Sequence, residues 1–360
     1  QAVGAAADAR RTARVGAMSW RVRPARSADL DALYDLAMMT GGGFTNLPQD
    51  RDAMAARLAR SDAAYAKDIS APDDELYMLV LENSVTGRIG GTAVVFSRIG
   101  VEWPFYSYKL NLLQQNSKEL GKTFAIQSLN LTSDHDGASE VGGLFLHPEL
   151  RTGGLGRLLA RSRYLFIACH RQRFADRLLA ELRGVIDPDG GSPFWDGLGR
   201  AFFGMSFQDA DSFNAIHGNQ FIADLMPKHP VYVALLPETA RAVIGLPHPN
   251  GRPAMAMLEA EGFSYDGYVD IFDGGPTMTV RTDNVRSIRD SRRGEVMALV
   301  DDHGTMGRAL LASGQLAGFR AWIGHAQWVE GGEAAGLFLP RGEAEAVGVK
   351  MGDKVRHVGF

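Results

Sequence analysis

The chain has 360 residues, 45% hydrophobic and 22% charged, the balance of an ordinary soluble protein long enough for two or three domains. A net charge of −4 and a pI near 6.2 argue against a nucleic-acid or anionic-membrane partner, and no apolar run reaches transmembrane length. One cysteine, Cys169, excludes an internal disulfide framework and fits a reducing cytoplasm.

The first 17 residues, "QAVGAAADARRTARVGA", lack an apolar core long enough for a secretory signal. They read as a disordered extension ahead of a domain that begins near Met18, although an Arg- and Ala-rich organelle transit peptide would look similar. From there strand and helix alternate. "WRVRPA" (20–25) predicts a strand and 27–39 a helix capped by Ser27, with Leu30, Leu33, Leu36 and Ala37 on one face. A glycine loop spans 40–48 and a second helix 51–68. Strands are expected at 75–83 and 88–100 around an "SVTG" turn, then at 123–132 and 139–148. A helix follows, then a strand at 177–185 and a helix over 192–205 with Ser192 at the N-cap and Pro193 at N1. A looser βα series runs from 217 to 282, with a helix at 252–263 ending at Gly262 and a strand at 268–275. The Gly-rich tail predicts short strands at 336–340, 344–349 and 353–360. The domains expected are 18–205, 206–284 and a small β subdomain at 285–360, in an α/β (α+β) fold.

The stretch "SEVGGLFLHPELRTGGLGRLLARSRYLF" carries the most chemistry. It reads as strand, turn and helix, with Leu155, Leu158, Leu159, Leu165 and Phe166 at helical spacing. First-turn amides lack intrahelical partners and sit at the positive end of the helix dipole. Gly153, Gly154 and Gly156 would let a phosphate reach those amides, and Arg151 adds a charge. Gly142 and Gly143, inside an apolar strand, mark a bulge or a close backbone approach. A strand splayed there leaves main-chain groups of Leu144 and Leu146 free for an extended ligand. Coenzyme A offers both an amide-bearing arm and a pyrophosphate. A dinucleotide fingerprint would need Gly or Ala at Leu159, and a P-loop would need Lys-Ser/Thr after Gly156; both fail.

The remaining residues say less. Nine histidines show no metal-ligand spacing, so no metal is expected. Cys169 and His170 are helix neighbours that point apart, which disfavours a Cys/His nucleophile. Glu181 and Arg183 alternate on one strand and either face a cleft or pair with neighbours. Trp195 reads as core. His248, in "IGLPHPNG", is by itself an ordinary loop histidine, with His135 and His229 as rivals.

Arg151-x-x-Gly154-x-Gly156 after a bulged strand resembles the coenzyme A motif of the GNAT acyltransferases. The blocks "TGGGFTNLP", "SDHDGASEVGGLFLHPELR", "IGLPHPNGRPA" and "LEAEGFSYDGYVDIFDGGPT" resemble the arginine N-succinyltransferase family over about residues 20 to 290. "FYSYKL" and the glycines of "SEVGG" depart from the family pattern. The resemblance implies a GNAT-like acyl-CoA-binding core, partly duplicated, and transfer of succinyl from succinyl-CoA to the α-amine of L-arginine. It implies succinyl-CoA as co-substrate with no permanently bound cofactor, Leu144 as a succinyl-CoA contact and His248 as proton donor. A homo-oligomer, or a heterodimer with a similar chain, fits the family. A non-catalytic or ornithine-preferring subunit that binds acyl-CoA is the alternative. The chemistry asks for few groups. Arginine's guanidinium, with a pKa above about 12, leaves the α-amine as nucleophile, and a histidine near ~6.5 can protonate a thiolate near ~8.5.

Overall fold

The computed structural model describes residues 20–40, 46–217, 220–330 and 336–360, so the expected extension at 1–17 lies outside the described residues. It is a mixed helix-and-strand fold built on one sheet of fifteen strands. Its first half contains β1 (Trp20–Pro24), β2 (Leu76–Asn83), β3 (Ile89–Phe96), β4 (Ser107–Ser117), β5 (Lys122–Thr132), β6 (Ser139–Leu146) and β7 (Arg177–Glu181). Then follow β8 (Val231–Tyr232), β9 (Ser264–Val269), β10 (Pro276–Arg281), β11 (Arg292–Val300), β12 (Gly307–Ser313), β13 (Arg320–Val329), β14 (Gly336–Pro340) and β15 (Lys354–Gly359). The spatial order is 12-15-11-14-13-1-2-3-6-7-10-9-4-5-8, so β6 and β7 lie near the middle. The helices that matter for the site are α1 (Leu30–Met38), α2 (Arg51–Ala66), α3 (Leu155–Cys169), α4 (Phe207–His217) and α5 (Arg252–Ala260).

Strand β2, "LYMLVLEN", shows why the centre is apolar on both faces. Tyr77, Leu79 and Leu81 join the cluster under α3, whereas Leu76, Met78 and Val80 join the one under α1 and α2. Side chains alternate across a strand, so a strand covered twice must be apolar throughout. Leu158, Leu159, Leu165 and Phe166 of α3 are fully buried, as the helical spacing predicts. Each such burial is worth roughly 1.5–3 kcal/mol. A separate cluster, with Trp195 at its centre, fills the half that holds α4 and β9. The tail from β11 has its own cluster and joins the sheet through the pairing of β13 with β1.

Several local expectations are corrected. Ser27 opens a 3-10 turn and hydrogen-bonds Asp62; Asp29 caps that turn, accepting from the Arg26 amide while ion-paired to Arg23. The 192–205 helix is two short ones, Pro193–Gly197 and Arg200–Phe203, although Ser192 does cap the first and accepts from the Trp195 amide. Residues 268–275 leave β9 at Val269 and form a turn in which Asp270 accepts from the amides of Phe272 and Asp273. The first half of the tail segment 344–349 is the end of a helix (Arg341–Ala346) and the rest is turn, with buried Ala344 and Val347 at helical rather than strand spacing. Strands β4, β10, β11, β12 and β13 go beyond the expected set. Their polar or glycine-interrupted sequences hide the period of two.

Candidate active site

The strand that carries the glycine pair parts from its neighbour. β6 pairs in parallel with β7 only at Ser139↔Leu178 and Glu140↔Leu179, then runs on to Leu146 with that edge open. On its other side β6 pairs with β3, and the register shifts between Thr92 and Val94, where Gly143 bulges. Gly143 has φ +55°, and a Cβ there would stand 2.5 Å from Val94 Cγ2, so no other residue fits without displacement. The bulge and the lost pairing expected from "VGG" are both present.

Past the bulge comes the glycine turn. Gly154 is the N-cap of α3 at φ +89°, and a Cβ there would meet the Phe360 ring at 3.1 Å. Gly156 lies in the first helical turn, and its Cβ would meet nothing closer than Leu146 Cδ2 at 3.8 Å. The two glycines therefore differ: the backbone requires the first, whereas the second keeps open space over the first-turn amides. Arg151 is exposed, and its Nε donates to the Leu146 carbonyl at 3.3 Å, so that carbonyl is not free as the sequence led us to expect.

A cleft of about 1340 Å³ opens between the parted strands. Leu144, Leu146, Arg151, Gly153, Gly154, Gly156 and His248 all line it, although 102 positions separate His248 from Leu146 in the sequence. His248 reaches the cleft because its amide donates to the Arg183 carbonyl at 2.7 Å, which ties its loop to the end of β7. Its Nδ1 accepts from the Asn250 amide at 3.1 Å, so in the neutral ring the proton sits on Nε2. Burial, reinforced by the Arg183 guanidinium, holds the imidazole below its usual pKa.

The cleft also holds acids. Glu181 ends β7, with Oε1 buried and unpartnered among the described residues. Burial, with Asp270, Glu140 and Asp273 nearby, pushes its carboxyl well above the usual range. Asp211 on α4 is pushed up to about 6, chiefly by burial and also by Asp270, with Arg183 pulling the other way. Asp270 accepts from the Phe272 and Asp273 amides of the β9–β10 turn, and Asp273 from the Gly275 amide of that turn and from the Gly184 amide beyond β7. Among the described residues neither Glu181 nor Asp211 accepts from such an amide, although Thr277 lies against Glu181.

The rival histidines lie elsewhere. His135 is buried against Tyr268, ring centroids 4.3 Å apart, and does not line the cleft; His229 is exposed. His170 Nδ1 is 2.8 Å from the Phe166 carbonyl and its Nε2 accepts from the Leu316 amide at 3.0 Å, a structural clip. Burial pushes the Cys169 thiol up, away from thiolate chemistry. No group of three or more candidate ligands that could hold a metal occurs among the described residues. Asn46, Arg57, Glu140 and Asp211 also line the cleft and were not singled out from the sequence. One signal was available: Glu140 is a lone charge inside the apolar run "SEVGGLFL".

An open strand edge, a side-chain-free helix start, a histidine and buried carboxylates thus share one cleft on this mixed fold, and comparison with known proteins makes this one an acyltransferase. The model of the arginine N-succinyltransferase beta subunit matches residues 20–287, and that of its C-terminal domain matches residues 292–359. An arginine N-succinyltransferase of Salmonella schwarzengrund is 42% identical over 337 residues, 94% of this chain and 96% of its own; one of Salmonella agona is 42% identical over the same span. The solved structure of arginine/ornithine succinyltransferase subunit AI from Pseudomonas aeruginosa superposes with a TM-score of 0.84 at 33% identity, covering 95% of this chain and 98% of that one. The chain belongs to the arginine N-succinyltransferase family.

Proposed function

We propose that the protein transfers a succinyl group from succinyl-CoA to the α-amine of L-arginine. The observation that carries the reading is the cleft itself, which brings an open β6 edge and a glycine turn together with His248 and the carboxyls of Glu181 and Asp211. The coenzyme's pyrophosphate lies on the 151–156 turn, and its pantetheine arm runs along β6 past Leu146 and Leu144. Glu181 and Asp211 receive the guanidinium. Two carboxylates suit a planar fork better than the compact ammonium of ornithine or lysine.

The amine attacks the thioester carbonyl, the C–N bond forms, and the C–S bond breaks. Overall one proton moves from nitrogen to sulfur. His248 delivers it to the thiolate through Nε2, the nitrogen not engaged by Asn250. Burial and Arg183 disfavour the imidazolium in the free protein, so arming Nε2 as the acid takes a proton on Nδ1 that displaces the Asn250 amide. No covalent intermediate is needed. Among the described residues no helix is long and apolar enough to cross a membrane, and the single cysteine fits a cytoplasmic setting. Self-association, or pairing with a similar chain, accords with the word "subunit" in the relatives' names.

The test measures CoA release from succinyl-CoA with arginine, ornithine and lysine at equal concentration. Arginine is expected fastest and lysine slowest. Faster turnover of ornithine would move the assignment to the alternative acceptor, and no release with any of them would leave only an acyl-CoA-binding subunit.

A further inference from the structure

On the reading above, the direction of the donor along β6 is fixed at two points. With the pyrophosphate at 151–156 and the pantetheine beside Leu146 and Leu144, the acyl end lies beyond the Gly142–Gly143 bulge, toward Glu140. A succinyl group ends in a free carboxylate, and burying an anion there requires a cation or several donors.

Helix α2 supplies one. Asp50 caps it by accepting from the Ala53 amide at 2.7 Å, and the face carrying Ala53, Ala56, Arg57 and Arg60 lines the cleft. Arg57 Nη1 is buried and has no hydrogen-bond partner among the described residues. Its nearest acid, Glu140, does not serve it. Glu140 Oε1 instead takes a long contact from Asn46 Nδ2 at 3.4 Å, and burial pushes that carboxyl up to about 7. The guanidinium itself is pushed down to about 10, first by burial and then by Arg60. A buried guanidinium nitrogen left without a partner, beside an acid that burial drives toward its neutral form, is a site lacking an anion. Gly142 keeps this corner accessible: a Cβ there would stand 2.6 Å from Asn46 Nδ2 and 3.1 Å from Glu140 Oε1.

The other cations of the cleft are placed differently. Arg60 is ion-paired to Asp74 at 2.6 Å and Arg161 to Glu261 at 3.0 Å, Arg163 Nε donates to the Ala160 carbonyl at 3.0 Å, and Arg157 lies over the Phe360 ring near the glycine turn. Arg183, two residues past β7, also has a buried Nε without a partner among the described residues, but it lies by His248 and Asp211 rather than beyond the bulge by Glu140. We propose that Arg57 reads the terminal carboxylate of the succinyl group and thereby selects a dicarboxylic acyl donor.

Butyryl-CoA has the same chain length and lacks that carboxylate, so the pair of donors isolates the contact. In Arg57→Ala the ratio of kcat/KM for succinyl-CoA over butyryl-CoA should fall about 100-fold, and Arg57→Lys should retain part of it. A fall of both donors together would mean a structural role and overturn the proposal. So would a defect that disappears when L-argininamide replaces arginine, because Arg57 would then read the acceptor's carboxylate. Calorimetric titration without acceptor keeps the two readings apart. Tighter binding of succinyl-CoA than butyryl-CoA by the wild type, lost in Arg57→Ala, upholds the role of Arg57 even if no amine is acylated. Equal affinity of the wild type for both donors overturns it, whatever the acceptor assay shows.

Discussion

Two His-Pro turns in this molecule share a backbone and differ in chemistry. His147 and His248 each precede a 3-10 turn that opens with proline, with φ of −50° and −49°, and each ring accepts from the amide two residues on. Each also donates its own amide to the sheet region, His147 to the Gly90 carbonyl of β3 at 2.8 Å and His248 to that of Arg183, two residues past β7, at 2.7 Å. A helix follows both. Yet His147 Nδ1 lies 3.7 Å from exposed Glu149 outside the cleft, whereas His248 faces the cleft beside Arg183. The helices differ too. α3 starts with glycines and free amides, whereas α5 carries Pro253 in its first turn and so lacks one donor. The same local device anchors a loop twice, and its surroundings alone decide which copy can do chemistry. The recurrence also fits a partial internal duplication.

The comparison breaks most sharply on turnover. His248→Ala should lower kcat about 10²- to 10⁴-fold, the usual worth of a positioned general acid, while His147→Ala should change it less than about twofold. The pH profile adds a sign. The ring's pKa is lowered from 6.5, so the acid form is lost as pH rises through that lower value. The kcat/KM for succinyl-CoA should fall along that limb, and His248→Ala should lack it. Equal losses in the two variants would show that the shared backbone role, not proton transfer, is being measured.

A second contrast uses the helix starts. Gly154 is a poor probe, because its φ of +89° and the Phe360 ring at 3.1 Å would penalise any side chain regardless of ligand. Gly156→Val instead puts methyl groups over the amides with its nearest neighbour at 3.8 Å. Titration with CoA should show about tenfold weaker binding, or ~1.4 kcal/mol. Pro253→Ala at the matching position of α5 should leave CoA affinity within about twofold. Unchanged affinity in a folded Gly156→Val protein would remove the pyrophosphate from this turn.

What the sequence disclosed follows the same division. The bulge at Gly143, the turn at 151–156 and the α3 face were legible because each rests on local rules: φ, free amides and helical period. His248 could be singled out only by family resemblance, since nothing within "LPHPNG" reveals that its loop is tied to Arg183. Arg57, Glu181 and Asp211 come from three separate elements and meet only across the cleft. No spacing rule reaches that far. Strands β11 to β13 escaped even though β12 and β13 pair as sequence neighbours, because glycines and charges interrupt their period of two.

The smallest effect separates the capping role of these histidines from chemistry. A side chain accepting from a first-turn amide is worth about 1 kcal/mol, and asparagine can replace histidine as acceptor. At His147 the contact is long, 3.4 Å, against 3.1 Å at His248. His147→Ala should therefore lower Tm by no more than about 2 °C, His248→Ala slightly more, and the Asn variants less than either. His248→Asn then becomes the decisive protein. It keeps the turn but cannot titrate, so calorimetry should find its Tm near wild type while its kcat stays as low as that of His248→Ala. If His248→Asn recovered most of the turnover, the ring would be acting as a cap, and the proton would have to come from water.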